Sequence, residues 1–127
     1  MKKLVYLCSV YSYPYDDTVT PQVKEKRFRL AAKAVGCITD KGEYNVFSSV
    51  VYIHPVSKYY KTRIDSILWM DQCDQMLELA DEVWILENED WQKAKGVQRE
   101  ISLAKVFGKK IKMVTPRGRV FKFIEGI

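Results

Sequence analysis

The sequence has only one histidine and no Cys-x-x-Cys pair, which argues against metal and disulfide chemistry. The single histidine, His54, cannot build a zinc site without other ligands nearby, so we expect no metal ion. The three cysteines are an odd number without Cys-x-x-Cys spacing, which indicates reduced thiols. No apolar leader or long uncharged run precedes the first charged segment, so the sequence predicts a cytoplasmic protein without a membrane span.

Three glycine-dependent motifs are also absent. The Gly-x-Gly-x-x-Gly run that lets a backbone approach the pyrophosphate of a dinucleotide is missing. The Gly-Lys-Ser or Gly-Lys-Thr ending of a phosphate loop is missing as well. A Gly-x-Ser-x-Gly elbow is missing too, and that elbow holds the nucleophile of many serine hydrolases. The sequence therefore argues against dinucleotide binding of that type, phosphate-loop nucleotide hydrolysis and serine-hydrolase chemistry.

The residues that are present suit one compact domain spanning 1–127. The chain weighs 14.9 kDa and 47% of its residues are hydrophobic, enough for a sizeable core. Its net charge of +5 is unevenly placed: eight acids and no base lie from Asp71 to Asp90, whereas six bases and one acid follow from Lys109 onward. The basic end fits either a solvated surface or a face toward phosphate or nucleic acid. Because the acidic run would repel a nucleic-acid backbone, we expect no nucleic-acid partner.

Hydrophobic periodicity alternates along the chain between strand-like and helix-like segments. Short β-branched and aromatic runs predict strands, and apolar positions three or four apart predict helices. Strands are expected at 3–8, 44–51, 82–87 and 111–115, with an edge strand at 120–124. The second strand is expected to extend into 52–55, where Pro55 stops it before a loop. Helices are expected from Pro21, capped by Thr20, to about Gly36 or beyond, over 63–80, and from about Gly96 to Phe107 with Gly108 as its cap. This alternation predicts an α/β fold of the Rossmann or flavodoxin-like kind, three layers with a mainly parallel sheet of about five strands.

Polar side chains follow the first two predicted strands, on the side where such folds bind ligands. Ligands lie beyond the carboxyl ends of parallel strands, so the loops after the first three strands should converge on one crevice. The first loop carries Ser9 and Ser12, whose hydroxyls either bind a sugar or phosphate or satisfy the backbone of the turn. His54 follows the second strand, and it is either a group facing the ligand or a structural imidazole at a strand end.

One carboxylate stands near the start of the last helix, where its side chain can lean back toward the crevice. Glu100 lies one turn inside this helix, and helical side chains point toward the helix N-terminus. A carboxylate in that place can attack an anomeric carbon, and a second acid such as Asp71 or Asp74 on the preceding helix can orient it or move protons. The alternative is a first-turn glutamate that only favours the helix dipole.

Four segments, in this order, resemble the nucleoside 2-deoxyribosyltransferase superfamily. The likeness covers nearly the whole chain and is greatest to a small branch of bacterial and phage proteins (DUF1937-like). The segments are LCSVYS, FSSVVYIHP, the Trp69–Asp81 helix with ADEVWIL, and DWQKAKGVQREISLA followed by FGKKI.

The resemblance implies an enzyme that cleaves or exchanges the N-glycosidic bond of a nucleoside, a nucleoside 5′-monophosphate or a related nucleotide without a cofactor. It implies that Glu100, in the Gly-Val-x-x-Glu segment, is the nucleophile, and that the chain forms a homodimer or higher homo-oligomer. Catalysis is assigned to Glu100 with Asp74 or Asp71, and substrate binding to Ser9, Tyr11, Ser12, Ser48, His54, Gly96 and Val97. In the superfamily pattern, Tyr11 and Ser12 match positions that contact the sugar and orient the glutamate.

Two departures from the superfamily pattern support an alternative function. Ala94 stands where the pattern has a serine that helps hold a 5′-phosphate, so the need for a phosphate stays open. Cys73 stands where the pattern has an acid, and it is flanked by Asp71 and Asp74, of which only one can face the site. The alternative is a non-catalytic domain, for example one encoded by a phage and acting in the host cytoplasm, that sequesters a nucleotide-derived signal such as an ADP-ribose derivative.

Overall fold

A five-stranded sheet organises the protein in the computed structural model, which describes residues 1–12, 19–60, 65–88 and 90–124. The strands are β1 (Leu4–Cys8), β2 (Asn45–Ser48), β3 (Glu82–Leu86), β4 (Lys110–Val114) and β5 (Val120–Ile124). Their order is β2-β1-β3-β4-β5; β1 to β4 are parallel, and β5 pairs antiparallel with β4 at the edge. The predicted flavodoxin-like α/β architecture with a mainly parallel sheet is confirmed.

Four helices accompany the sheet: α1 (Pro21–Lys41), α2 (Ser49–Tyr59), α3 (Asp65–Leu79) and α4 (Lys95–Val106). The start predicted for α3 at residue 63 lies outside the described residues. Thr20 caps α1 as predicted, because its hydroxyl accepts from the backbone N–H of Val23 at 3.2 Å. The helix runs through Gly36 and ends only at Gly42, whose φ of 72° is the left-handed conformation that favours glycine at a helix end.

Side chains alternate across the sheet and build a separate core on each face. Successive residues of a strand point to opposite faces, so neighbouring residues of β1 and β3 enter different cores. One core packs against α1 and contains Val5, Leu7, Ala31, Ala34, Trp84 and Leu86. The other packs against α3 and α4 and contains Tyr6, Cys8, Leu77, Ile85, Val97 and Ile101. Helices therefore cover both faces, and Tyr6 and Cys8 point toward the face that carries α4.

The prediction for the segment after the second strand is wrong. The strand ends at Ser48, and residues 49–59 form α2 instead of a strand extension and a loop. The Ser48 hydroxyl starts this helix by accepting from the N–H of Val51 at 3.2 Å. Its buried positions include Val50 and His54, which are four residues apart as on one face of a helix. Pro55 lies inside α2, although proline usually interrupts a helix.

No helix among the described residues combines the length and the apolar character needed to cross a bilayer.

Candidate active site

Glu100 lies in the second turn of α4 and is the carboxylate at the centre of the candidate site. Its side chain is partly exposed, and its Oε2 accepts a hydrogen bond from the hydroxyl of Tyr6. Tyr6 lies within β1 and is fully buried. The contact joins residues 94 positions apart, and it forms because α4 covers the face of the sheet toward which Tyr6 points. The structure thus places Glu100 against β1, one turn inside the helix as predicted.

The surroundings of Glu100 make its carboxyl group a weaker acid than that of an ordinary glutamate. Burial raises its pKa from 4.5 to about 7, while hydrogen bonds from Tyr6 and Cys8 and the charge of Arg99 oppose the rise. Burial and the neighbouring Glu100 together raise the pKa of Tyr6 far above its ordinary value, so this phenol stays protonated and donates. Near neutral pH the carboxyl group is therefore present in both its ionised and its protonated forms.

Two buried thiols complete the immediate surroundings of Glu100. Burial, followed by the charge of Glu100, raises the pKa of Cys8 well above its ordinary value and that of Cys73 to about 11. Both thiols are therefore neutral at physiological pH. Cys73 lies in the same core as Tyr6 and Cys8. Cys73 thus faces the site from the position where the superfamily pattern has an acid.

The two aspartates proposed as partners of Glu100 occupy different surroundings on α3. Asp74 forms a bidentate ion pair with Arg99, whose guanidinium nitrogens lie 2.7 and 2.6 Å from the two carboxylate oxygens. Its negative charge also contributes to the raised pKa of Glu100. The side chain of Asp71 is exposed. Asp74 is therefore the aspartate near Glu100, and its carboxylate is engaged by Arg99.

The residues at the start of α4 offer backbone N–H groups and no polar side chain that caps the helix. Ala94 is the N-cap and contributes no side-chain hydrogen bond to the helix, so the first backbone N–H groups lack the cap that a serine would supply. Gly96 is exposed, and a Cβ added to it would meet nothing within 4 Å. Val97 is buried in the core between α4 and the sheet, which is a packing role.

The first loop contributes one hydroxyl that is buried and one that lies in a hydrogen-bonded chain. Among the described residues, the Ser9 Oγ has no hydrogen-bond partner although it is buried. The hydroxyl of Tyr11 lies 2.7 Å from Nδ1 of His54. Ser12 is exposed, and Ser48 uses its hydroxyl to cap α2. Tyr11 and His54 are thus brought together from the first loop and α2.

The described part of the chain contains no group of three or more His, Cys, Asp or Glu side chains arranged to hold a metal ion.

The family model described as "Domain of unknown function (DUF1937)" matches residues 3–115. The chain belongs to this family. Its fold resembles that of a 2-deoxyribosyltransferase from the psychrotolerant bacterium Bacillus psychrosaccharolyticus, a biocatalyst for the synthesis of nucleosides. The TM-score is 0.58 at 18% sequence identity, over 94% of this chain and 77% of that enzyme. No curated protein matches the sequence.

Sequence reasoning missed two residues of the site in this DUF1937 protein. Tyr6 was expected only as part of a strand, and an aromatic residue in a buried strand is usually core. Its position two residues before Cys8, on the same face, is the signal that could have placed it beside α4. Glu25 was missed because nothing in the spacing of α1 indicates that its Oε1 lies 2.9 Å from Nε2 of His54.

Proposed function

We propose that this DUF1937 protein cleaves or exchanges the N-glycosidic bond of a nucleoside, a nucleoside 5′-monophosphate or a related nucleotide, with Glu100 as the nucleophile. The observation that carries the proposal is a partly buried carboxylate held by the buried phenol of Tyr6 on β1. The resemblance of the fold to a 2-deoxyribosyltransferase supports the same class of reaction. The substrate is then a small molecule that places its anomeric carbon at Glu100.

The ionised form of Glu100 performs the first step of the proposed reaction. A carboxylate oxygen forms a bond to C1′ as the bond from C1′ to the base nitrogen breaks, and the electron pair of that bond leaves with the base, which takes up a proton. The product is a glycosyl ester on Glu100. Water or a second base then attacks C1′, releases the carboxylate and loses a proton. Donation from the Tyr6 hydroxyl stabilises the carboxylate as it leaves.

The alternative function, sequestration of a nucleotide-derived signal without turnover, is favoured by a different observation. Asp74 is engaged by Arg99, and the position of the second acid is occupied by the neutral thiol of Cys73. A binding site needs well-placed polar groups but no second acid to move protons. Retained ligand without product is the outcome that distinguishes this alternative.

Glu100→Gln tests the proposal because it keeps the size of the side chain and removes the nucleophile. Wild type and variant are incubated with nucleosides, 5′-monophosphates and ADP-ribose-derived nucleotides, and free base is measured by chromatography with mass detection. Glu43→Gln, in the exposed turn before β2, is the matched control. We expect wild type and Glu43→Gln to release base and Glu100→Gln to release none above background. Equal release by all three proteins contradicts the assignment, and intact ligand retained by all three supports sequestration.

A further inference from the structure

An ion pair between α3 and α4 lies beside Glu100 and takes no part in the proposed bond-forming steps. The guanidinium of Arg99 donates to both carboxylate oxygens of Asp74, at 2.7 and 2.6 Å. Arg99 immediately precedes Glu100 on α4. The two side chains of the pair are 39% and 32% exposed, and exposed ion pairs contribute little to stability. A bidentate pair nevertheless fixes the orientation of both partners.

Arg99 and Glu100 attach the same turn of α4 to two different elements. Successive side chains of a helix point about 100° apart, so Arg99 reaches Asp74 on α3 while Glu100 reaches the hydroxyl of Tyr6 on β1. The apolar face of α4 also packs against the sheet, but apolar contacts are not directional. Two polar contacts in different directions therefore restrict the rotation of α4 about its axis at this turn.

We propose that Arg99 is a positioning residue, which acts through Asp74 to hold the turn of α4 that carries Glu100 and to keep the Glu100 carboxyl group directed at Tyr6. This inference rests on the proposed function, in which Glu100 is the nucleophile. It gives Asp74 the role of holding Arg99 instead of moving protons, because both of its oxygens accept from a guanidinium that does not deprotonate. A displacement of about 1 Å can lower a rate about a hundredfold, so loss of the pair should lower kcat.

The ion pair also places two opposite charges beside Glu100. Burial is the main cause of the raised pKa of Glu100; the charge of Arg99 lowers this pKa and the charge of Asp74 raises it. Removal of one partner leaves the charge of the other unbalanced, so the two removals should shift the titration of Glu100 in opposite directions. The charged and titratable groups around Glu100 come from β1, α3 and α4: Tyr6, Cys8, Cys73, Asp74 and Arg99.

The titration of Glu100 is the first test, and it needs neither ligand nor turnover. Protein is labelled with ¹³C at the side-chain carboxyl group of glutamate, and the Glu100 signal is the one that disappears in Glu100→Gln. We expect the midpoint of this signal to fall by about one pH unit in Asp74→Asn and to rise by a similar amount in Arg99→Gln. Arg99→Lys keeps the charge and should titrate near the wild type.

Two exposed residues supply matched controls for the change in charge. Glu78→Gln removes a negative charge from α3, one turn after Asp74, and Lys105→Gln removes a positive charge from α4. We expect both controls to titrate as the wild type does. Shifts of the same sign in Asp74→Asn and Arg99→Gln, or no shift in either, overturn the proposal whether or not the protein cleaves glycosidic bonds.

A double-mutant cycle on base release is the second test, and it separates positioning from charge. The kcat and KM are measured for the nucleoside or nucleotide that the wild type cleaves fastest, at a pH where Glu100 is fully ionised in every variant. We expect Arg99→Gln and Asp74→Asn each to lower kcat about tenfold with little change in KM. Arg99→Lys should lower kcat as well, because lysine keeps the charge but lacks the bidentate fork.

The double variant shows whether Arg99 acts through Asp74. If it does, Arg99→Gln combined with Asp74→Asn has the kcat of either single variant, because the second change removes nothing further. Losses that multiply overturn the proposal, as does a wild-type kcat in Arg99→Gln.

The two tests distinguish failure of this inference from failure of the proposed function. Base release that is lost in Glu100→Gln and unchanged in Arg99→Gln leaves the proposed function standing and refutes only the inference. Opposite shifts of the Glu100 titration, in a protein that releases base from no member of the panel, support the control of Glu100 by the ion pair and refute the proposed function.

Discussion

The partly buried carboxyl group of Glu100 makes the stability of the protein depend on pH in a direction that can be measured. The folded protein holds this proton more tightly than the unfolded chain, because burial raises the pKa of Glu100 from 4.5 to about 7. Between these two values the folded state binds more protons than the unfolded state, so the free energy of unfolding falls as the pH rises. The stabilisation is fully present below pH 4.5 and is lost above about pH 7.

The size of this effect follows from the two pKa values. A difference of one pH unit corresponds to about 1.4 kcal/mol, so the interval from 4.5 to about 7 corresponds to about 3 kcal/mol. The side chain keeps some contact with solvent, which reduces the expected loss to about 2 kcal/mol. Glu100→Gln does not titrate, and its carbonyl oxygen still accepts from Tyr6. We therefore expect the variant to become more stable than the wild type by this amount as the pH rises.

Urea unfolding of wild type, Glu100→Gln and the control Glu43→Gln at several pH values measures the difference directly. Other groups, such as Glu25 with its lowered pKa, contribute equally to all three proteins and cancel in the comparison. The gap between Glu100→Gln and wild type should open between pH 4.5 and about 7 and then stay constant. Parallel curves, or a wild type that gains stability relative to Glu100→Gln as the pH rises, would refute the description of Glu100.

Two further substitutions test the groups around Glu100. Tyr6→Phe removes the hydrogen-bond donor that lowers the pKa of Glu100. Because loss of a hydrogen bond to a charged group costs about 1.5–3 kcal/mol, the pH midpoint of base release should rise by about one to two units. An unchanged midpoint would contradict the contact between Tyr6 and Glu100. Ala94→Ser supplies a cap hydroxyl at the extended N-cap of α4 and should add about 1 kcal/mol to the free energy of unfolding. Ala94→Ser should also strengthen the binding of nucleoside 5′-monophosphates relative to nucleosides, which calorimetry measures. Equal changes in affinity for both ligands would show that residue 94 does not contact phosphate.

Much of the fold could be predicted because its signals are local. The cap at Thr20, the proline after it and the spacing of apolar residues place α1, and the alternation of helices with short apolar runs predicts the parallel sheet. The segment 49–59 was assigned wrongly because short β-branched runs look alike in a strand and in a buried helix. Only the cap hydroxyl of Ser48 and the spacing of Val50 and His54 distinguish the two.

The candidate site was harder to predict because its contacts join distant parts of the chain. The place of Glu100 near the start of a helix left its role open, and the resemblance of its segment to the superfamily implied the nucleophile; the partner that holds it, Tyr6, is 94 residues away on β1. The contact between Glu25 and His54 joins residues 29 positions apart on two helices. Periodicity shows which face of an element is apolar, and it does not show which polar side chains on two elements will meet.

Capture of the covalent intermediate shows which residue is the nucleophile. A nucleoside that releases base in the panel is mixed with wild type or Glu100→Gln, the reaction is stopped with acid within one turnover, and the protein is digested and analysed by mass spectrometry. We expect the sugar to be attached to the peptide containing Glu100 in the wild type and to no peptide in Glu100→Gln. Sugar attached to another residue, or base release by Glu100→Gln at the wild-type rate, would contradict this expectation.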